Sequence, residues 1–310
     1  MCDIALDPAG GHIELRLPST LPEQPVADER SRMNLERLGK PIAVGRTGEI
    51  YAWDDDRVMK LYRDWSSRTY VLREARVSRI ANEIGLPAPA VYDADTEDGL
   101  WEIDDRLGIL YDWVEGPTML RDLMRRPWMV IAYSKAMAAL HAQMHAEAGA
   151  GLPDARQRIG SVIEQMTESL SESQRAQALD ALAALPAGNR VCHGDFHPDN
   201  ILLQEAGPVI VDWGPASCGH PLADVAWTYL LFTVTGGPAD TSLAMRLFLL
   251  LFRSLTLKVY LRTYFRLTGT RWADVERWLG VIAILRLGDG LPEERDRLLR
   301  LIEERFPDSG

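Results

Sequence analysis

Within VCHGDFHPDNILL, residues 191–203, the side chains His193, Asp195, His197, Asp199 and Asn200 crowd into eight positions. They then give way to the apolar Ile201-Leu202-Leu203. Carboxylate, imidazole and amide groups at that density are those that accept protons or hold hard cations. A polar turn entering a buried strand has the same composition, so the stretch alone does not decide. Asp212, in VIVDWG, follows Asn200 by twelve residues. The apolar runs 201–203 and 209–211, split by Gly207-Pro208, predict a hairpin whose two ends lie side by side, bringing Asn200 and Asp212 together. Two oxygen ligands at one hairpin mouth suit Mg2+, which takes few protein ligands and leaves its other positions to water and phosphates. Asp195, on the adjoining loop, is then placed to take a proton from an attacking hydroxyl. Simple capping of the hairpin by Asn200 and Asp212 is the structural alternative.

The complementary positive charge is sought upstream. Lys60 stands in Val58-Met59-Lys60-Leu61-Tyr62, where strand alternation turns it to the face opposite Met59 and Leu61. Glu74 follows fourteen residues later on an expected helix, and an ion pair between them would hold the lysine at anionic phosphates. A lone lysine that merely snorkels to solvent is the alternative. In IAVGRTGEIYAW, Gly45 and Gly48 mark a turn where bare backbone can approach a phosphate, although most such turns only reverse the chain. The order glycine turn, strand Lys, helix Glu, hinge, HxD-x4-N and D-x-G is that of kinase-type phosphoryl transfer.

The elements that must position these groups fall into two kinds. Between Leu35 and Val114 the signals are strand-like, in PIAVG, EIYAW, RVMKLY, APAVYD, LWEID and GILYDWV. One helix, over Ser66–Ile84, interrupts them, and Asp54-Asp55-Asp56 turns one hairpin. After Gly116-Pro117 helices are expected over Trp128–Ala148, Pro153–Leu170, Glu172–Leu185, Pro221–Val234, Ser242–Leu267, Trp272–Leu287 and Pro292–Arg305, some of them split. Only 190–213 is strand-like among them. The expected architecture is therefore α+β and bilobal: an N-terminal arm over 1–34 with a short strand at His12–Leu17, a β-rich lobe over 35–113, and a helical lobe over 114–310. Residues 111–117 form the hinge, and a cleft between lobes is a common ligand site.

Composition narrows the partners. With 46% hydrophobic and 25% charged residues the chain is globular rather than disordered. A net charge of −11 argues against a nucleic-acid surface, which needs clustered Lys and Arg. The excess is concentrated in residues 1–116, with 23 acids against 14 bases, whereas 117–310 carry 22 against 20. Cys2, Cys192 and Cys218 show no framework spacing, as expected for reduced thiols in a cytoplasmic protein. No apolar signal segment opens the sequence, and LFLLLF at 247–252, bounded by Arg246 and Arg253, is too short to span a bilayer. No membrane association is expected.

HGDFHPDN, followed by VDWG and PLADVA, strongly resembles the aminoglycoside phosphotransferase family, whose members are similar to choline kinases and more distantly to protein kinases. The resemblance runs from Leu38 to Leu287 and is sharpest at 191–230. It implies a protein-kinase-like fold, ATP or GTP as donor, Mg2+, and a small hydroxylated acceptor. It makes Asp195 the catalytic base, Asn200 and Asp212 the metal ligands, and Lys60 with Glu74 the phosphate-positioning pair. It sets the adenine against the backbone at Trp113 and Val114, with Tyr111 behind it and Leu202 as the apolar floor. Asp224 resembles the acid that braces the catalytic loop from the following helix. His193 is expected to hold that loop by hydrogen bonding, and His197 to stabilise its turn rather than touch the phosphoryl group.

The chain departs from the protein-kinase pattern in three places. GRTG is poorer in glycine than the kinase loop, Trp213 stands where Phe is common, and only eleven residues separate Asp212 from Asp224. That interval leaves no room for a long activation loop, so no protein substrate is expected. Gly39-Lys40 runs into Pro41 and is not a P-loop, and His141 with His145 lacks the HExxH glutamate and reads as helix interior. Two other functions are weighed. A metal-dependent phosphoesterase would need further metal-binding His clusters, but beyond His197 the sequence has only His12, His141, His145, His193 and His220. A catalytically silent nucleotide-binding module would usually have lost Lys60, Asp195 or Asp212.

Overall fold

A computed structural model of the chain describes residues 35–234 and 243–308, the side chains of 243–249 excepted. The arm over 1–34, with the strand expected at His12–Leu17, lies outside the described residues. Two compact units divide the chain, Met1–Glu115 and Gly116–Gly310.

In the first unit the strands are β1 (Ala43–Val44), β2 (Gly48–Ala52), β3 (Arg57–Tyr62), β4 (Val91–Tyr92), β5 (Trp101–Ile103) and β6 (Arg106–Asp112). They form one antiparallel sheet in the order β1-β2-β3-β6-β4, with β5 also on β6. The alternation in β3 works as expected. Met59 and Leu61 enter a core with Leu38, Tyr51, Trp53, Ile103 and Leu110. Lys60, aligned with Ile50 and Ile109, turns the other way. That second face is covered by α2 (Arg68–Glu83), preceded in the chain by the single turn α1 (Leu35–Leu38). Helix α2 starts where Ser67 Oγ accepts the Tyr70 N–H, and it packs Val71 and Ala75 on Tyr62, Ile109 and Tyr111. The acidic turn is an Asx turn, Asp54 Oδ1 accepting the Asp56 N–H at 3.1 Å. Asp104 and Asp105, at φ 46° and 62°, make the two-residue turn joining β5 to β6.

The second unit holds α3 (Met119–Arg125), α4 (Val130–Met144), α5 (Ala155–Gln165), α6 (Glu172–Ala184), β7 (Arg190–Cys192), β8 (Ile201–Gln204), β9 (Gly207–Ile210) and β10 (Ser217–Gly219). Then follow α7 (Pro221–Val234), α8 (Leu243–Thr268), α9 (Trp272–Glu276), α10 (Leu279–Leu287) and α11 (Pro292–Arg305). The α6, α7 and α11 readings agree with the expected spans to within one residue. Helix α5 is shorter than expected, ending at Gln165 rather than Leu170, and Trp272–Leu287 divides into α9 and α10. Helix α3 is not among the expected helices; it begins two residues after the Gly116-Pro117 pair that closes the expected hinge. Its start is nevertheless capped, Thr118 Oγ1 accepting the Arg121 N–H at 3.1 Å. Gly116 has a strict reason: at φ 149° a Cβ there would stand 1.9 Å from the Leu203 carbonyl oxygen.

The hairpin β8–β9 forms, but its turn differs from the expected Gly207-Pro208. Gln204 pairs with Gly207, so the turn is Glu205-Ala206 and Pro208 lies inside the strand opposite Leu203. Leu203 sends its N–H the other way, to the Pro117 carbonyl at 2.9 Å, so the partner position needs no N–H and tolerates proline. Among the described residues no helix is long and apolar enough to cross a membrane.

Candidate functional site

In the first unit the functional candidates gather on the α2 face of the sheet. Lys60 Nζ lies 2.5 Å from Glu74 Oε1, and Glu74 is 1% exposed. The Tyr111 hydroxyl reaches the same carboxylate oxygen at 3.5 Å and Ser78 Oγ at 3.4 Å. Lys60 is thus a fixed cation rather than a snorkelling one. Removing one partner of a buried pair leaves the other charge uncompensated, so Glu74→Ala should lower the unfolding free energy by about 3–5 kcal/mol in a denaturant titration.

The glycine turn is tighter than the sequence implied. Gly45 N–H donates to the Gly48 carbonyl at 2.8 Å. Gly48 itself is the first residue of β2, and a Cβ there would meet the Leu61 carbonyl oxygen at 2.7 Å. Strand packing alone therefore accounts for glycine at 48. At the chain's exit from β6, the Trp113 N–H donates to the Asp56 carbonyl at 2.7 Å, so that amide is already used. Trp113 and Val114 are both half-buried.

In the second unit β7 leads into the loop 193–197, and α7 holds that loop from behind. Asp224 Oδ2 accepts the His193 N–H at 2.5 Å and Oδ1 accepts the Gly194 N–H at 2.8 Å. Gly194 has φ 77°, and a Cβ would press on the Pro215 carbonyl oxygen at 2.8 Å, so only glycine fits. His193 ties the loop to the hairpin: its Nδ1 accepts the Asp195 N–H and its Nε2 reaches the Val211 carbonyl at 3.1 Å. His193 is fully buried, and that burial holds its pKa below the usual value, so the ring is neutral and donates through Nε2.

Asp195 is gripped from three sides. Its Oδ1 accepts from Trp227 Nε1 at 3.3 Å. Its Oδ2 lies 3.4 Å from Asn200 Nδ2 and 3.5 Å from His197 Nε2. Asn200 Nδ2 also donates to the Asp195 carbonyl at 2.9 Å, which commits the amide nitrogen and leaves Oδ1 as the atom able to face a cation. The Val211 N–H donates to the Asn200 carbonyl at 3.0 Å, extending the hairpin ladder by one pair. Asp212 therefore follows directly on the residue opposite Asn200. It turns out of the strand at φ 64°, a left-handed conformation that Asp tolerates better than most residues. An amide oxygen at Asn200 and a carboxylate at Asp212 are donors of the type a hard divalent cation takes. Leu202, half-buried in β8, pairs with Val209 and is bridged to Thr118.

His197 does two things. Its Nδ1 accepts the Asp199 N–H at 3.3 Å, which stabilises the turn as expected, while its Nε2 faces Asp195. Burial alone would raise the Asp195 pKa, but the His197 charge and hydrogen bond outweigh it and hold the carboxyl well below the usual range. Burial likewise disfavours imidazolium at His197, and the Asp195 carboxylate more than reverses that. The pair therefore stabilises the loop above the ordinary carboxylate pKa, and the contribution is lost as pH rises through the elevated His197 value. An NMR titration should place His197 above the ordinary histidine midpoint, and Asp195→Ala should bring that midpoint down.

Two contributors were not legible. Trp227 lies one turn after Asp224 on α7, a spacing that puts both on one face, and Arg286 from α10 stacks 5.2 Å above its ring. Arg286 is itself fixed by Glu294 at 2.7 Å and 2.8 Å. His141 and His145, read as helix interior, are buried but converge on Asp224.

Comparison with known proteins gives this constellation a context. The family model described as the phosphotransferase enzyme family matches residues 39–252. Among solved structures, aminoglycoside phosphotransferase APH(4)-Ia, as a thermostable mutant with ADP and hygromycin B, superposes with a TM-score of 0.59 at 15% identity. The alignment covers 89% of this chain and 97% of that one. Amicoumacin kinase hAmiN, in complex with AMP-PNP, Ca2+ and Ami, gives 0.56 at 13% identity over 91% and 92%. A choline/ethanolamine kinase family protein from Mesorhizobium loti gives 0.54 at 16% over 91% and 94%. At such identities the likeness is one of fold, an α+β kinase-like fold. No curated protein sequence matches the chain.

Proposed function

The chain belongs to the phosphotransferase enzyme family, and we propose that it is a small-molecule kinase moving the γ-phosphoryl group of ATP or GTP to a hydroxyl of a small acceptor. The observation that carries this reading is the loop itself. A carboxylate held ionised, Asp195, sits beside Asn200, whose side-chain oxygen is left over, and beside the hairpin position that leads into Asp212.

In this reading Asp195 accepts the proton of the acceptor hydroxyl while the oxygen attacks the γ-phosphorus. The bond from the γ-phosphorus to the bridging oxygen breaks and the nucleoside diphosphate leaves. Trp227 and His197 orient the Asp195 carboxylate, so that it is aimed before the acceptor arrives. Mg2+, held by Asn200 and Asp212, supplies neutralisation of phosphate charge when bound. Lys60, fixed by Glu74, contributes a cation to the same phosphates. Because the Trp113 amide is used by Asp56, the Trp113 carbonyl and the Val114 backbone are the groups left to meet the base, with Tyr111 and Leu202 as apolar neighbours. Gly45 and Gly48 keep the turn free of side chains where the phosphates would lie, the Gly45 N–H itself being held by the Gly48 carbonyl. The two units thus correspond to a nucleotide-binding part and a part carrying the catalytic loop and acceptor site, in a cytoplasmic enzyme.

The near-neutral balance of residues 117–310 does not favour a polycationic acceptor, and a neutral or anionic hydroxyl compound fits equally. The hygromycin B and amicoumacin of the related structures belong to those proteins. The decisive experiment is a pooled screen of metabolites and antibiotics for nucleoside diphosphate release, with Asp212→Asn as control. Acceptor-dependent release that the control abolishes supports the kinase. Release of product from a generic aryl phosphate with Mn2+ would favour phosphoester hydrolysis instead. Thermal stabilisation by nucleotide with no transfer to any acceptor would favour a silent binding module.

A further inference from the structure

Helix α4 carries two histidines one turn apart, and the chemistry above uses neither. His141 has no exposed surface, His145 is 6% exposed, and the carboxylate they face, Asp224, is 3% exposed. A buried carboxylate is costly unless donors surround it, and its two oxygens can take about four. The amides of His193 and Gly194 supply two. His141 Nε2 and His145 Nε2 approach the same Oδ2 at 3.1 Å and 3.3 Å. At the far edge of each ring stands a tyrosine of α8. Tyr260 Oη lies 2.6 Å from His141 Nδ1, and Tyr264 Oη lies 2.7 Å from His145 Nδ1.

Donor accounting fixes the protons. A neutral imidazole has one N–H and one lone pair, and an ionised carboxylate only accepts. Each Nε2 must then carry the hydrogen, each Nδ1 the lone pair, and each tyrosine hydroxyl must donate. Two simultaneously cationic rings are disfavoured because the imidazoles lie 4.1 Å apart. Burial, reinforced by His145, also pushes the His141 pKa down to about 3. The atoms of His141, His145 and Asp224 lie within 4.8 Å of one another, as metal ligands would. Hydrogen bonds already account for every ring nitrogen and both carboxylate oxygens, so the cluster does not require a cation.

We propose that His141 and His145 are positioning residues. As neutral Nε2–H donors, each locked in that tautomer by a tyrosine hydroxyl of α8, they fix the Asp224 carboxylate that holds the His193–Gly194 backbone and thereby aim Asp195. Helix α8 is in this way hydrogen-bonded through α4 and α7 to the catalytic loop. Only the last step, the aiming of Asp195, rests on the phosphotransfer reading.

The test uses the full chain and the variants Tyr260→Phe/Tyr264→Phe, His141→Gln and His141→Leu. Long-range nitrogen-15 NMR of the histidines should find both rings in the Nε2–H tautomer with an unprotonated Nδ1. Amide exchange in 191–197 should quicken about tenfold or more in the double phenylalanine variant and in His141→Leu, with α4 and α8 little changed. His141→Gln, which keeps an N–H near the Nε2 position, should restore protection. An Nδ1–H or cationic ring overturns the proposal, as does unaltered loop exchange in both weakened variants. One equivalent of zinc in the purified protein would also overturn it, because coordination would replace the Nε2–H donors. Loop exchange is read without any substrate. An exchange pattern as expected, with no acceptor phosphorylated, would sink the kinase reading and leave the brace, whereas transfer with an unresponsive loop would sink the brace alone.

Discussion

Asp195→Ala should lower turnover by at least about a hundredfold while nucleotide affinity, read from thermal stabilisation, changes little. The reasoning is local. Trp227 Nε1, Asn200 Nδ2 and His197 all direct hydrogens at the two oxygens of this carboxylate. Such an environment keeps the group ionised and aimed, at the expense of basicity, so its contribution lies chiefly in orienting the acceptor hydroxyl. Alanine is the better probe. Asparagine would set an NH2 group against at least one of the donors that now point at Asp195, and so would perturb the loop as well as the chemistry. Near-full activity in the alanine variant would remove Asp195 from the mechanism.

Asp212→Asn should also cost about a hundredfold or more in turnover, equivalent to about 2.7 kcal/mol of transition-state stabilisation. Backbone strain should not change. The residue sits at φ 64°, which asparagine tolerates about as well as aspartate, so the substitution removes charge without straining the backbone. Asp212→Ala would add a backbone penalty of roughly 1 kcal/mol and confuse the two effects. The accompanying signature is specific: the extra thermal stabilisation that Mg2+ gives over nucleotide with chelator should vanish. If the asparagine variant retains both turnover and that magnesium-dependent shift, Asp212 holds no metal.

The differences between expectation and structure share a cause. The hairpin was legible because two apolar runs separated by turn formers have few other solutions, yet its turn fell on Glu205-Ala206 rather than Gly207-Pro208. Pro208 read as a breaker, but its place in the ladder depends on which way Leu203 turns its N–H, and that is settled by Pro117 some distance upstream. Gly48, expected beside a phosphate, has in addition a steric reason that only the neighbouring strand supplies, the Leu61 carbonyl. Helix α3 was not expected; its cap, Thr118, directly follows the Gly-Pro pair that closes the expected hinge.

The sequence by itself determined what backbone periodicity controls. The two-residue repeat of β3 put Lys60 on the face opposite Met59 and Leu61, the 3.6-residue repeat drew the buried face of α2, and the hairpin juxtaposed Asn200 with the entry to Asp212. Only the tertiary structure decided which distant groups meet. Trp227 and His197 converge on Asp195, Arg286 stacks on Trp227, and Tyr260 and Tyr264 reach His141 and His145 across 119 residues of chain. Local repeats fix the direction of a side chain relative to its own element. The partner it finds depends on how separate elements pack, which no short stretch of sequence encodes.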